Sequence, residues 1–174
     1  MRLTIITRLY DVASFFVFGG IALVIFIAIV CLVQPRKISF TLKTIALFVL
    51  VRSIFITLTH IGPFPTEAAI TGLTLQYAKE IVGKNILAVF FSGNDLLFSG
   101  HVGLPFLMSL ICWDNKWLRY IFITISLCFA IIVLLGHLHY SIDVLAAFFI
   151  TASIFNLAKI LFRKDYEISY NELY

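Results

Sequence analysis

The sequence predicts an all-α membrane protein, a polytopic bundle of five transmembrane helices, and three observations predict it. Hydrophobic residues fill 61% of the 174 positions and charged residues 13%, against about 45–50% and about 25% in soluble domains. The apolar residues gather into long runs, and the charges fall between those runs. A soluble fold of this length has no interior large enough for so much apolar surface, whereas the bilayer is itself an apolar solvent. The length suits one domain over residues 1–174, with a core of about 40–162.

Five apolar runs stand out, at roughly 12–33, 41–61, 96–113, 117–136 and 141–162. Each holds about 18–22 residues, enough to cross a hydrocarbon core of about 30 Å as a helix. Arg2 and Arg8 precede the first run, which is too long for a signal-peptide core and reads as a retained span. The third run is the weakest, because Gly100, Gly103 and Pro105 interrupt it. The stretch 81–91 is short and holds Lys84 and Asn85, so it is a candidate sixth segment, interfacial or re-entrant. Cys31, Cys112 and Cys128 lie in apolar runs without metal or redox spacing and read as small apolar residues.

The net charge of +4 does not collect into a patch or stripe, which argues against nucleic acid as a partner. Instead the basic residues sort by side. Arg36, Lys37 and Lys43 follow the first span, Lys116 and Arg119 separate the third from the fourth, and Lys159, Arg163 and Lys164 close the fifth. With five spans these eight of the thirteen basic residues share one face, which makes that face and the C-terminus cytoplasmic. Arg2 and Arg8 count against this orientation. The polar connection 62–95 then lies outside, as a cap or lid over the bundle.

All four histidines fall at the outer, non-cytoplasmic ends of their spans: His60, His101, His137 and His139. His139 and Asp143 are four apart, which on a helix puts them on one face within hydrogen-bonding reach. A carboxylate accepting from Nδ1–H fixes the tautomer and leaves Nε2 as nucleophile or base. An aspartate opening an apolar run is costly unless paired; the alternative is a helix-starting carboxylate stabilised by the macrodipole. The second context is Asp95-Leu96-Leu97-Phe98-Ser99-Gly100-His101. Ser99 can cap a helix, Gly100 allows an anion close to the backbone, and a histidine there can protonate a leaving oxygen. The third is Arg52, inside the second span, where a guanidinium requires a phosphate or a carboxylate partner.

These stretches resemble the sphingomyelin synthase-related branch of the type 2 phosphatidic acid phosphatase (PAP2, lipid phosphate phosphatase) superfamily. The family's Cys-Gly-Asp-x3-Ser-Gly-His-Thr motif matches Gly93 to Val102, keeping Asp95, Ser99, Gly100 and His101 while its first two residues and final threonine differ. The family's His-Tyr-x2-Asp-Val motif matches His139-Tyr140-Ser141-Ile142-Asp143-Val144. An upstream motif matches at Arg52, Ile56 and Thr59 and departs at Ile61-Gly62-Pro63. The resemblance implies a PAP2-like bundle and a two-step reaction. His139 would attack phosphorus, Asp143 would orient it, and His101 would protonate the leaving alkoxide and then act as base. It implies phosphate or substrate contacts from Arg52, Asp95, Ser99 and Gly100, and makes Glu67 the match to a carboxylate in the connecting loop. His137, beside the nucleophile, is a further candidate pocket residue. Neither a metal nor another cofactor is expected. Where the phosphatase branch carries Ser-Arg before the nucleophile, this chain has Val133-Leu134.

The leading expectation is a lipid phosphotransferase, moving a phospho-head group from a phospholipid donor to a diacylglycerol- or ceramide-like acceptor. The rival enzyme is a lipid phosphate phosphatase with water as acceptor; the two differ in product. Two other classes remain: a non-catalytic lipid-binding membrane protein, and a transporter using histidines as a proton relay. The His101, His139 and Asp143 set argues against the first. The lack of an inverted repeat argues against the second. The oligomeric state is not legible in the sequence.

Overall fold

The computed structural model describes residues 2–59, 99–135 and 140–170, with the side chains of the first helix described from Phe18 onward. Helices joined by short turns make up those residues, with no strand among them: α1 (Arg2–Val33), a 3-10 turn (Pro35–Lys37), α2 (Ile38–Thr59), α3 (Gly100–Ile111), α4 (Lys116–Leu135), α5 (Ser141–Leu161) and α6 (Arg163–Tyr170). The five apolar runs thus all carry helices, and α6 adds a short amphipathic helix that the run pattern does not predict. The candidate sixth segment at 81–91 and the lid at 62–95 lie outside the described residues.

Part of the expected span pattern is present. Three helices among the described residues are long and apolar enough to cross a membrane: Pro35–Phe55, Lys116–Leu135 and Ser141–Leu161. Phe18–Val33 and Gly100–Ile111 are shorter apolar helices. The sequence predicts a full span at 96–113, whereas α3 has 12 residues, about 18 Å of helix at 1.5 Å per residue. The start at Gly100 and the stop at Cys112 fix this length, and Pro105 sits inside the helix. Proline supplies no N–H to the carbonyl of His101, four residues back, so it loosens the turn that carries the histidine.

Each long helix buries one stripe at helical spacing. In α2 the stripe is Phe40, Thr41, Thr44 and Phe48; in α4 it is Phe122, Ser126, Phe129, Ala130 and Val133. In α5 it is Asp143, Val144, Ala147, Thr151, Ile154 and Ala158. Two chemically important residues are continuations of these stripes. Arg52 follows Phe48 by four residues, and Asp143 stands at the head of the α5 stripe, 1% exposed. The helical repeat therefore turns both inward. α3 is central, with Val102, Gly103, Pro105, Leu107, Met108, Ser109 and Ile111 buried. Helices in lipid gain little from burying apolar surface against one another, so close packing and small residues carry the association. Gly19 meets the Phe129 ring, Phe26 and Phe122 lie 5.0 Å apart, and Ser126 donates to the Val102 carbonyl at 2.8 Å.

The opposite end of the bundle is a polar clasp. Lys37 pairs with Asp114 in the α3–α4 turn and lies over the Tyr170 ring at 5.0 Å. Tyr170 donates its hydroxyl to the carbonyl of Ile111. Asp165 of α6 accepts from Ser39 at 2.6 Å and from Lys43 at 2.7 Å. These two bonds, that from Lys43 foremost, hold the Asp165 carboxyl below the usual carboxylate range. Trp113 and Trp117 are exposed here, and Arg119 lies over Trp113 at 4.6 Å. That is the composition of a membrane–water boundary.

Candidate functional site

The site forms where α2 crosses the beginning of α3. Ser99 is extended (φ −63°, ψ 118°), and the first helical bond runs from the Gly103 N–H to the Ser99 carbonyl at 2.9 Å. Ser99 thus holds the N-cap position foreseen for it, but its side chain makes no cap bond. Its Oγ is fully buried and has no hydrogen-bond partner among the described residues. A helix start left uncapped by its own side chain presents its first N–H groups and the positive end of its dipole. A buried hydroxyl in that state costs about 1–3 kcal/mol relative to a bonded one, so an oxygen-rich anion there satisfies several groups together.

Arg52 lies directly over this helix start. A Cβ added to Gly100 would stand 3.3 Å from the Arg52 Cζ, 3.4 Å from Nε and 3.6 Å from Nη1. Glycine is needed here for close approach. Without a side chain at 100, the guanidinium and the backbone N–H groups face the same small space. His101 follows on the next residue, half-buried, its ring 5.6 Å from that of Phe129. The structure therefore brings Arg52, Ser99, Gly100 and His101 together.

A length check supports this placement. Lys37 and Arg52 are fifteen residues apart, about 22 Å of helix; Asp114 and Gly100 are fourteen apart, about 21 Å. The same two segments meet at the clasp through Lys37 and Asp114, and at the site through Arg52 and Gly100. The site therefore lies on the order of 21 Å from the clasp, within the depth of a hydrocarbon core of about 30 Å.

Asp143 occupies the first turn of α5. Its Oδ2 accepts the backbone N–H of Tyr140 at 3.0 Å, and its own N–H donates to the Tyr140 carbonyl at 3.0 Å. The carboxylate thus does the work of a helix-starting residue. Tyr140 is extended (φ −73°, ψ 153°) and α5 begins only at Ser141. The expected pairing of His139 with Asp143 involves a residue outside those described, while Asp143 itself is placed at the start of α5. Thr151, two turns below Asp143, meets Gly103 of α3. Counting 1.5 Å per residue up each helix from that contact, Asp143 stands on the order of 9 Å nearer the mouth of the bundle than His101. His139, His137, Asp95 and Glu67 lie outside the described residues, as does His60.

Three neighbours of the site were not assigned to it from the sequence: Phe48, Gly103 and Thr151, which meet one turn below Gly100. The pairing of Gly100 with Gly103 at helical spacing is the signal that marks this seam. Among the described residues no cluster of histidine, cysteine and acidic side chains has the grouping to hold a metal ion.

Residues 92–160 match the family model described as PAP2 superfamily C-terminal. No curated protein and no solved structure gives a match to the chain. The matched segment contains Ser99, Gly100, His101, His139 and Asp143, whereas Arg52 enters the site from outside it. The family match supports the resemblance of residues 92–160 to the PAP2 superfamily, a membrane phosphatase-related lipid family.

Proposed function

We propose that the protein is a lipid phosphotransferase, moving a phospho-head group between membrane lipids through a phosphohistidine. The observation that carries the reading is the Arg52 guanidinium lying over the uncapped start of α3, next to His101. Among the described residues, one guanidinium and one helix dipole supply a charge of about +1.5. That suits the single negative charge of a phosphodiester better than the double charge of a phosphomonoester. α4 adds no second cation: Val133 is fully buried and Leu134 faces outward.

In the first step His139 Nε2 attacks phosphorus, and the bond from phosphorus to the lipid oxygen breaks. His101 donates a proton to the leaving alkoxide. Asp143 orients His139 and offsets the imidazolium charge. In the second step His101 takes the proton of an acceptor hydroxyl, whose oxygen attacks phosphorus and releases His139. The axial offset on the order of 9 Å between Asp143 and His101 leaves room for an imidazole and a phosphate. The catalytic face is the non-cytoplasmic one, opposite the basic clasp.

The family match favours a second reading, in which water is the acceptor and the protein is a lipid phosphate phosphatase. Purified protein in mixed micelles, given head-group-labelled phospholipid with and without diacylglycerol or ceramide, separates the two. A labelled product lipid that forms only with acceptor supports transfer, whereas labelled phosphate or phosphoalcohol without it supports hydrolysis. Undiminished turnover in His139→Ala refutes both.

A further inference from the structure

One turn below the Arg52–Gly100 contact, α2, α3 and α5 meet at a single point. A Cβ on Gly103 would stand 2.9 Å from Phe48 Cζ, 3.0 Å from Phe48 Cε2 and 2.9 Å from Thr151 Oγ1. Carbon atoms in good contact are about 3.5–4.0 Å apart, so a methyl group there does not fit. Its neighbours have nowhere to go: Phe48 is 3% exposed and Thr151 0%. The Thr151 hydroxyl is aimed at the seam and has no hydrogen-bond partner among the described residues. Packing against Gly103 thus takes precedence over satisfying that hydroxyl.

The two contacts are successive rungs of one seam. Phe48 and Arg52 are four apart on α2, and Gly103 and Gly100 are three apart on α3, so each pair spans about one helical turn. A displacement at the lower rung moves the upper one, because both ends of each rung sit on the same rigid helices. We propose that Gly103 is a positioning residue: its bare Cα seats Phe48 and Thr151, and so sets the spacing at which the Arg52 guanidinium covers the start of α3. This inference rests on the phosphate-binding role given to Arg52 above. A methyl group at 103 must open the seam by roughly 0.5–1 Å. A misplacement of about 1 Å can cost on the order of a hundredfold in rate.

The test is calorimetric titration of the detergent-solubilised full chain with orthovanadate, which reports affinity and the fraction of competent protein separately. Gly103→Ala is expected to weaken binding about tenfold with unchanged stoichiometry. Phe48→Leu leaves the seam underfilled and is expected to weaken it about threefold. The double substitution, in which the methyl fills the space left by the ring, is expected to return affinity to within about twofold of the parent. A merely structural role would lower the stoichiometry and leave the affinity unchanged, and that result overturns the inference. Equal affinity in all four proteins also overturns it while sparing the phosphate site, as does a double variant no better than Gly103→Ala. Absence of vanadate binding by the parent protein overturns both. Should Gly103→Ala not fold, Phe48→Leu alone decides, because unchanged affinity there removes the seam from any role in binding.

Discussion

Replacing Gly100 with alanine separates the chemistry of the site from the stability of the fold, because the two should move in opposite directions. The added methyl would lie 3.3 Å from Arg52 Cζ, a few tenths of an ångström inside comfortable contact. The neighbour is the tip of a long side chain and yields easily. Alanine is also a better helix former than glycine, by up to about 1 kcal/mol in a helix interior and less in the first turn. Stability should therefore hold or rise slightly. The methyl, however, occupies the space shared by the guanidinium and the first N–H groups of α3. Loss of one charge-assisted hydrogen bond to phosphate is worth about 1.5–3 kcal/mol. That corresponds to a roughly ten- to hundredfold fall in kcat/KM. The assay is head-group transfer or release in mixed micelles, with a thermal unfolding curve on the same sample. Activity within threefold of the parent, or a loss matched by loss of folded protein, refutes the close-approach argument.

Arg52→Lys keeps the charge but loses the planar fork, and should lower kcat/KM by roughly tenfold or more with KM carrying most of the change; steady-state kinetics on the same substrate checks this. His101→Asn should slow turnover by about 10²–10⁴ through loss of proton donation, while alkali-quenched samples given an activated phospholipid still accumulate labelled phosphoenzyme. At the clasp, Asp165 has a folded-state carboxyl below its ordinary value, through Lys43 and then Ser39. Its contribution is therefore present above the unfolded carboxylate value of about 4 and is lost as pH falls through the lower folded value. Hydrogen exchange of α6 should rise below about pH 4, and Asp165→Asn should show that faster exchange already at neutral pH. Asp114→Asn leaves Lys37 buried without its anion; with Asp114 half exposed, the cost should be about 1–2 kcal/mol in thermal unfolding.

The helices were legible because apolar runs in a membrane protein admit few other structures, and the buried stripes follow from the 3.6-residue repeat. Arg52 could be named because a guanidinium in an apolar run has few neutral explanations. Its partner could not, since nothing local in α2 says that Gly100 will lie across from it. The short length of α3 escaped for a different reason. Residues 96–98 are apolar and extend the run, while the helix start is set by the extended backbone at Ser99. The start of α5 was set by the same kind of boundary, Tyr140, where a backbone bond to the Asp143 carboxylate opens the helix. The clasp was illegible because its members, Ser39, Lys43, Asp114 and Asp165, are scattered along the chain and meet only in three dimensions.

The half-length of α3 also bears on what kind of molecule the proposed site would admit. On the proposed reading, a helix start on the order of 21 Å from the clasp would put the reacting phosphorus beneath the plane where head groups normally rest. A lipid must let its polar end sink and shed hydration, and its acyl chains supply the anchoring that offsets this cost. A water-soluble phosphate ester of the same head group has no such anchor. Under that reading depth would act as a selectivity filter in its own right, sorting substrates by their tails before any side chain reads their heads.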